Sequence, residues 1–495
     1  MTRTLIGFDY TDTPCVKITK ANFDPITTKD SERHKFHFSS KWANNVEIAG
    51  LDTVQGGNYS EWTFQFWPPG STTSNFKKAR YSFGDGDLYA WYWKASFFPN
   101  LRYRYPLFSF KRKNSNGRYN IDERQEYVRG YANPVGWKGG FIAWGGYRTG
   151  GWEDHGSPND FRIGDKKYTW NLGLSTIQSG DGPGRLGVLT VFNLPGDDAP
   201  LDGPTGVGNA AAGSTAIEIT PSRLRVAKPG YKVTDGPRFL AFSSENAPMQ
   251  VIAAGDVAVP KGTSFVPLPI SVAADTMVEC VFYEGSTITY PMTTAWEFEG
   301  GLEYWIANGR LNFNNPSGAG RCRYMVFAHD TQAPTSGTYE VLRQFNWQGE
   351  QHVQFLRPGA ASPPRFADIA LDSRWPAIQI LKEGYFEVDG GAKTKEITYN
   401  ASGFFPYVLY MVHYKTNTST PREGVRPPFI RYQRLPKAFS GDCSYCKYNA
   451  SKATFYTYRG RPAYTWLDGK SRTPREVDTD FTPIGIRYYV LGIPT

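Results

Sequence analysis

Three short stretches decide how this chain folds: Val16-Lys17-Ile18-Thr19-Lys20, Leu224-Arg225-Val226-Ala227-Lys228 and Ile378-Gln379-Ile380-Leu381-Lys382. Each alternates apolar and polar residues and ends in a lysine, the pattern of a half-buried β-strand. A second predicted strand follows each copy, at Phe36-His37-Phe38-Ser39-Ser40, Leu240-Ala241-Phe242-Ser243-Ser244 and Ile397-Thr398-Tyr399-Asn400-Ala401-Ser402. Because the two strands recur in the same order, the sequence predicts an internal triplication.

A third strand closes each copy. The three closing strands are Arg185-Leu186-Gly187-Val188-Leu189, Arg323-Tyr324-Met325-Val326-Phe327 and Arg487-Tyr488-Tyr489-Val490-Leu491. The last of them lies almost at the end of the sequence, as expected for a strand that completes a fold. Three units, each opened and closed by matching strands, therefore account for the chain.

The boundaries between these units follow from composition. We predict an N-terminal module at residues 1–195, with an aromatic-rich insertion at 58–151, a middle module at 217–357 and a basic C-terminal module at 365–495. The two connectors, a flexible linker at 196–216 and a Pro-rich one at 358–364, are rich in Gly, Ala and Pro without periodicity. The segments Glu340–Trp347 and His352–Leu356 are predicted to form a hairpin appended to the middle module.

Composition supports an all-β fold. The 495 residues include 51 Gly and 35 Pro, which break helices, while aromatic residues, which favour strands, make up 16%. No window keeps apolar residues at helical spacing with a cap. The sequence thus predicts three tandem antiparallel β-sandwich-like modules.

Motifs that carry catalysis are missing from the sequence. There is no P-loop, no G-x-S-x-G and no H-E-x-x-H motif. The Gly-rich string Gly182–Gly187 precedes a predicted strand, whereas a dinucleotide site needs a helix there. Glu153 and Asp154 are adjacent in a Gly-rich loop, and a glycosidase needs two carboxyls that face each other. We expect no catalytic residue, no cofactor and no enzyme activity.

The cysteines do not predict a metal site. Cys443 and Cys446 form a lone Cys-x-x-Cys, which lacks the second pair of ligands that structural zinc requires. Whether these two form a disulfide is left open by the sequence. Cys15, Cys280 and Cys322 are isolated, and we expect them to be small buried side chains.

Positive charge is concentrated near the C-terminus. The chain has a net charge of +9, yet the stretch from Tyr410 to Arg475 alone has 13 Lys/Arg against 3 Asp/Glu, a charge of +10. Such segregation indicates either a surface that meets an acidic or phosphate-bearing partner, or simply a solvated face or a subunit interface. The arginines expected to make these contacts are Arg422, Arg426, Arg431 and Arg434.

The insertion is expected to contact a different, more apolar partner. Trp91 and Trp93 lie in its densest aromatic cluster, and such side chains provide large contact area at low entropic cost. The N-terminus has no signal-peptide pattern and no apolar run reaches the length of a membrane span. We therefore expect synthesis in a cytoplasm and no membrane span.

In its repeated strands at Val16–Lys20, Leu224–Lys228 and Ile378–Lys382, the chain resembles the tandem β-modules of tailed-bacteriophage structural proteins. Tail-tip, baseplate, collar and fibre-attachment proteins are of this kind. The resemblance implies a non-enzymatic, multi-copy or homo-oligomeric component of the virion, bound to other virion proteins and to no specific nucleic acid. The alternative is a tailspike-like protein that binds or depolymerises a glycan of the host surface.

Overall fold

The computed structural model describes these residue ranges: 3–41, 47–55, 76–83, 86–94, 107–112, 118–120, 124–127, 160–163, 166–169, 186–193, 211, 213–236, 239–245, 248–283, 285–290, 303–315, 319–329, 335–337, 341–388, 392–416, 423–426, 430–433, 438–441, 444–458, 464–466 and 481–494. These residues form an all-β fold, which confirms the predicted class. Short 3₁₀ helices occur at Arg33–Lys35 and Phe366–Asp368.

The strands fall into three groups in chain order. The first group is β1 Arg3–Phe8, β2 Pro14–Thr19, β3 Phe36–Ser39, β4 Glu47–Gln55, β5 Phe76–Phe83, β6 Gly86–Lys94, β7 Leu107–Arg112, β8 Tyr119–Asn120, β9 Arg124–Tyr127, β10 Asp160–Ile163, β11 Lys166–Thr169 and β12 Leu186–Asn193. The second group is β13 Ile217–Thr220, β14 Arg223–Ala227, β15 Leu240–Ser243, β16 Val251–Val259, β17 Gly262–Pro267, β18 Val278–Tyr283, β19 Ile288–Tyr290, β20 Glu303–Ala307, β21 Arg310–Asn315 and β22 Gly320–Phe327. The third group is β23 Leu342–Trp347, β24 Glu350–Leu356, β25 Ile369–Asp372, β26 Gln379–Glu387, β27 Ala392–Thr398, β28 Phe404–Thr416, β29 Glu423–Arg426, β30 Ile430–Gln433, β31 Ala438–Gly441, β32 Ser444–Tyr448, β33 Lys452–Tyr458, β34 Tyr464–Trp466 and β35 Phe481–Pro494.

Each group opens with a three-stranded antiparallel sheet, and the three sheets are built alike. Their strand orders are β1-β2-β3, β13-β14-β15 and β23-β24-β25. A register shift interrupts the pairing of the second and third strands at the same place, between Ile18 and Thr19, Val226 and Ala227, and Phe355 and Leu356. An identical irregularity at an identical position shows that the three sheets are copies of one unit, here called repeats 1, 2 and 3.

A buried serine forms the same pair of hydrogen bonds with the central strand of each of these sheets. Its hydroxyl oxygen accepts a backbone N–H of the central strand, one residue before that strand begins to pair with the third strand. The pairs are Ser40–Val16 (2.8 Å), Ser244–Leu224 (3.0 Å) and Ser373–Val353 (2.9 Å). Each serine N–H also donates to the carbonyl of that same residue. These bonds satisfy backbone groups where the strand ladder ends.

The third copy lies elsewhere than the sequence predicted. The stretch equivalent to Val16–Lys20 is Val353–Arg357, which covers the end of β24 and the residue after it. Ile378–Lys382 instead covers the start of β26, in a different sheet. The predicted second strand at 397–402 is likewise replaced by β25. The hairpin expected to belong to the middle module pairs with β25, so it opens repeat 3. Residues 358–364, predicted as a linker, lie in the loop between β24 and β25.

A second sheet in each repeat contains the closing strand at its centre. The orders are β4-β12-β7, β16-β22-β18 and β26-β35-β28. Register shifts again match, and they align Arg323 with Arg487, as the sequence predicted. In repeat 1 the shift aligns Val188 with these arginines, so the expected match at Arg185 was wrong by three residues.

The middle repeat shows how such a sheet becomes a sandwich. The sheet β16-β22-β18 faces the sheet β17-β21-β20 across a core that includes Val278, Phe282, Leu311, Phe313 and Val326, all at most 3% exposed. Alternate residues of a strand, such as Val278, Cys280 and Phe282 on β18, belong to this core.

A glycine opposite a tyrosine marks repeats 2 and 3. Gly255 pairs with Tyr324, and a Cβ at Gly255 would lie 2.9 Å from the tyrosine hydroxyl oxygen. Gly384 and Tyr488 repeat the arrangement at 2.5 Å. The tyrosine ring thus covers the glycine across the strands. In repeat 1 the equivalent pair is Asp52 opposite Leu189.

We expect Gly255→Ala to destabilise the protein by about 1–3 kcal/mol, because the new methyl group displaces the Tyr324 ring. Tyr324→Leu should relieve that clash, so the double variant should be less destabilised than the sum of the two single variants. Urea unfolding of the four proteins measures this coupling. Additive effects of the two substitutions would show that the Tyr324 ring does not clash with a methyl group at position 255.

Some strands of one repeat pair with strands of another repeat. β8 of repeat 1 pairs with β20 of repeat 2, and β19 of repeat 2 pairs with β32 of repeat 3. β29 of repeat 3 pairs with β6 of repeat 1. The donated Tyr290 is buried against Tyr410 in repeat 3, with ring centroids 5.6 Å apart. In the described part of the chain, repeat 1 thus contributes strands to sheets of repeats 2 and 3, and repeat 2 contributes β19 to a sheet of repeat 3.

Candidate interaction surfaces

Three of the residues predicted to bind partners lie on neighbouring strands of one sheet. Arg426 is the last residue of β29, and Trp91 and Trp93 are on β6. The two strands are neighbours, with Val425 paired to Trp93, in the six-stranded sheet β26-β35-β28-β29-β6-β5. The basic region and the aromatic region, which the sequence analysis assigned to different partners, thus border each other.

The remaining predicted arginines are only partly described. Arg431 is on β30, opposite Gln125 of the parallel neighbour β9, so a second strand of the basic region also adjoins the insertion. Arg422 and Arg434 lie outside the described residues, as do Glu153, Asp154 and Cys443. Binding by the four arginines and two tryptophans stays a prediction.

One basic position recurs in all three repeats. Lys20, Lys228 and Arg357 follow the central strand of each three-stranded sheet, and each is half-buried. Their backbone N–H groups donate to equivalent backbone carbonyls, those of Lys35 (2.9 Å), Phe239 (2.7 Å) and Asp368 (2.8 Å). The sequence indicated the first two lysines. It missed Arg357, because the lysine of the Ile378–Lys382 strand was taken for the third member.

Repeat 1 contains a cluster of four charges, two of them fully buried. Lys17 Nζ lies 2.5 Å from Asp9 Oδ2 and 2.7 Å from Asp30 Oδ1, and Lys41 Nζ contacts the same two carboxylates at 2.8 and 2.5 Å. The Lys17 and Asp9 side chains are fully buried. Burial alone would raise the pKa of Asp9, but hydrogen bonds from Lys17, Lys41 and Thr11 hold it well below its usual range. Two cations and two anions balance, so the cluster is a structural element of the sheet.

The described cysteines are buried free thiols. Cys15, Cys280 and Cys322 are buried, as predicted, and so is Cys446. Burial raises the pKa of Cys15 to about 11, and it also raises the pKa values of Cys322 and Cys446. The thiols of Cys15, Cys322 and Cys446 are therefore protonated at neutral pH, and a protonated thiol is a weak nucleophile and a weak metal ligand.

Within the described ranges, no group of three or more His, Cys, Asp or Glu side chains is arranged to hold a metal ion. No helix among these residues is long and apolar enough to cross a membrane. The chain matches no protein-family model, and neither the curated proteins nor the solved structures include a similar protein at a significant level.

A buried histidine makes the fold sensitive to acid. His329 lies 9% exposed, and its Nε2 donates to the Pro248 carbonyl at 3.4 Å. The pKa of His329 is lowered to about 4, chiefly by burial. The charge of Arg357 also lowers it, whereas the hydrogen bond to Pro248 raises it. The pKa of His37 is also lowered to about 4, chiefly by burial. Both side chains are thus neutral in the folded protein.

Stability should therefore fall as the pH drops from about 6.5 to about 4, since the unfolded chain binds protons there that the folded chain excludes. For His329 the loss should be on the order of 3 kcal/mol. In His329→Gln, whose side-chain amide still offers a donor, the pH dependence should be weaker. Urea midpoints across this pH range measure it, with the exposed His34→Gln as control. Equal slopes in all three proteins would contradict the role of His329.

Proposed function

We propose that this chain is a non-enzymatic structural component of a tailed-bacteriophage particle, in the tail or its tip or fibre-attachment region. The observation that carries the proposal is the pairing of strands between repeats 1 and 2, repeats 2 and 3, and repeats 1 and 3. No repeat can leave the others without breaking main-chain hydrogen bonds, and in two of these pairings side-chain contacts as well. Such interlocking suits a part that bears load and holds neighbours in fixed positions.

The contacts of the donated strands support this rigidity. Beside β8, Arg118 forms an ion pair with the buried Glu303 (3.2 Å), and its guanidinium lies 4.1 Å from the Trp305 ring centroid. At the junction of repeats 2 and 3, Gln250 donates to the carbonyls of Asp372 (2.7 Å) and Trp375 (2.6 Å). These buried bonds fix one repeat against the next.

The charge distribution supports a docked position in an assembly. The stretch from Tyr410 to Arg475 carries +10, so the rest of the chain sums to about −1. Like charges crowded on one module repel each other unless an acidic partner compensates them. We propose that an acidic neighbour in the particle meets Arg422, Arg426, Arg431 and Arg434.

The test begins with purified native particles, in which mass spectrometry should detect the chain. Replacing the four arginines by Glu should lower its incorporation strongly, because several charge-assisted bonds become repulsive at once. Matched charge reversals at the exposed Lys29, Lys232, Lys261 and Arg310 should leave incorporation unchanged. Circular dichroism checks that both variants fold.

Two outcomes would overturn the proposal. One is the absence of the chain from washed particles. The other is release of reducing ends from capsular polysaccharide or lipopolysaccharide by the purified protein, abolished by Glu153→Gln or Asp154→Asn. That result would favour the glycan-depolymerising alternative.

A further inference from the structure

The outer face of one sheet of repeat 2 carries two aromatic side chains in a single row across the strands. Phe265 on β17 pairs with Asn312 on β21, and Asn312 pairs in turn with Trp305 on β20. The alternate residues Leu311 and Phe313 are fully buried in the core of the sandwich, so the row points away from that core. Phe265 is 52% exposed and Trp305 is partly exposed. These three residues, here called the aromatic row, therefore form part of the surface.

Each ring of the aromatic row contacts an arginine. The guanidinium carbon of Arg310 lies 4.0 Å from the Phe265 ring centroid, and that of Arg118 lies 4.1 Å from the Trp305 centroid. Arg118 is itself fixed by its ion pair with the buried Glu303 (3.2 Å). An arginine stacked on a ring still directs its N–H groups outward in the guanidinium plane. The aromatic row thus combines apolar ring surface with donors, both held in place before any ligand binds.

The fold does not require aromatic residues in this row. The equivalent sheet of repeat 3 has the order β27-β33-β32-β19 and, like the sheet of repeat 2, includes a short strand from the preceding repeat. Phe455 takes the place of Phe313 in its core, and both are fully buried. The row one residue earlier in repeat 3 is Glu396, Thr454 and Lys447. Charged residues thus occupy in repeat 3 the two positions that are aromatic in repeat 2.

The spacing of the two rings suits a sugar chain. They stand on strands separated by one other strand, so they are about 10 Å apart, which is close to the length of two linked hexoses. The C–H face of a sugar packs well on an aromatic ring. Between the rings, Asn312 Nδ2 donates to the carbonyls of Trp305 (3.4 Å), Ala307 (3.3 Å) and Arg310 (3.2 Å). Asn312 Oδ1 is therefore the side-chain atom that can accept a hydrogen bond from a sugar hydroxyl.

We propose that the aromatic row binds an acidic polysaccharide, with one sugar on Phe265, a hydroxyl on Asn312 and a second sugar on Trp305. Arg310, exposed at the edge of the row, pairs with a carboxylate of the same polysaccharide. A negative ligand also suits a protein whose net charge is +9. This inference goes beyond the proposed function, because it gives the chain a ligand of its own in addition to its place in the particle.

Binding of the purified full-length chain to immobilised polygalacturonate, hyaluronate and polysialic acid, measured by biolayer interferometry, tests the site. At least one of these three should bind, and neutral dextran should not. Phe265→Ala and Trp305→Ala should each weaken binding on the order of tenfold, because each removes the surface for one sugar without a change of charge. Phe265→Tyr keeps a ring and should bind as the unchanged protein does. Circular dichroism checks that each variant folds.

Phe8→Ala is the matched control. Phe8 is 59% exposed on β1 of repeat 1, and its loss also leaves the net charge unchanged, so this variant should bind with unaltered affinity. Failure of the unchanged protein to bind all three acidic polysaccharides would overturn the proposal. Equal affinities of Phe265→Ala, Trp305→Ala and the unchanged protein would also overturn it, since binding would then be the attraction of a basic protein for any polyanion.

Incorporation into particles distinguishes a polysaccharide from a protein as the occupant of the aromatic row. Phe265→Ala should be incorporated normally, because the row is expected to remain open to an external ligand. Lowered incorporation would show that another virion protein covers the row, and the proposal would fall. Because the binding tests use the purified protein, their failure leaves the proposed function intact. Absence of the chain from particles, in turn, removes the proposed function and leaves the binding tests to decide this inference.

Discussion

Replacing Phe242 by alanine should destabilise the whole chain by about 3–5 kcal/mol. The side chain is 5% exposed, and its ring contacts the Phe38 ring of repeat 1 and the Phe355 ring of repeat 3. Its removal leaves a cavity that borders all three repeats, so the loss should reach each of them. Urea unfolding followed by tryptophan fluorescence and by far-UV circular dichroism measures the change, and both signals should shift together.

Phe265→Ala is the matched control. Phe265 is a phenylalanine of the same repeat, but it is 52% exposed on β17. The Arg310 guanidinium carbon lies 4.0 Å from its ring centroid. Its loss should change stability by no more than about 1 kcal/mol. A similar effect in the two variants, or a Phe242→Ala protein in which only the middle repeat unfolds, would contradict a core shared by three repeats.

The sequence predicted the local elements well and their partners less well. Alternation of apolar and polar residues identifies a strand, because side chains point to opposite faces in turn. It does not say which strand lies beside it. Ile378–Lys382 matches the pattern of the first two copies, yet its strand pairs with β35. The true third copy at Val353–Arg357 keeps the apolar-polar-apolar order but ends in arginine instead of lysine.

The pairing of strands between repeats could not be predicted from the sequence. β8 spans two residues and β19 spans three, too short for any periodicity, and their partners are more than 100 residues away. The arginines were singled out from charge alone. Their proximity to the aromatic insertion depends on the pairing of β29 with β6, which only the fold reveals.

The burial of Lys17 was also unpredictable, since a lysine on an alternating strand is expected to face water. Asp9 and Asp30, which compensate its charge, are 8 and 13 residues away in the chain, in the turn after β1 and the loop after β2. Repeats 2 and 3 have Arg225 and Gln354 at the equivalent position, so a hydrogen-bond donor is retained while the buried cluster is not.

Asp9→Ala should destabilise the protein by about 3–5 kcal/mol, because it leaves the fully buried Lys17 ammonium with one carboxylate instead of two. The same substitution removes the acceptor of the Thr11 hydroxyl and N–H, at 2.7 and 3.0 Å. Replacing both buried partners, with Lys17→Met and Asp9→Leu, should cost less than Asp9→Ala alone, since Lys41 and Asp30 remain paired at 2.5 Å and no uncompensated charge stays inside.

The exposed pair of Lys452 and Glu396, 2.8 Å apart with side chains 42% and 57% exposed, provides the control. Glu396→Ala should lower stability by at most about 1 kcal/mol, because water screens this pair and solvates the lysine that is left. Urea midpoints at neutral pH compare the variants. If Asp9→Ala is no more destabilising than Glu396→Ala, or if the double variant is worse than Asp9→Ala, then desolvation of Lys17 does not govern this part of repeat 1, and packing of the turn between β1 and β2 must do so instead.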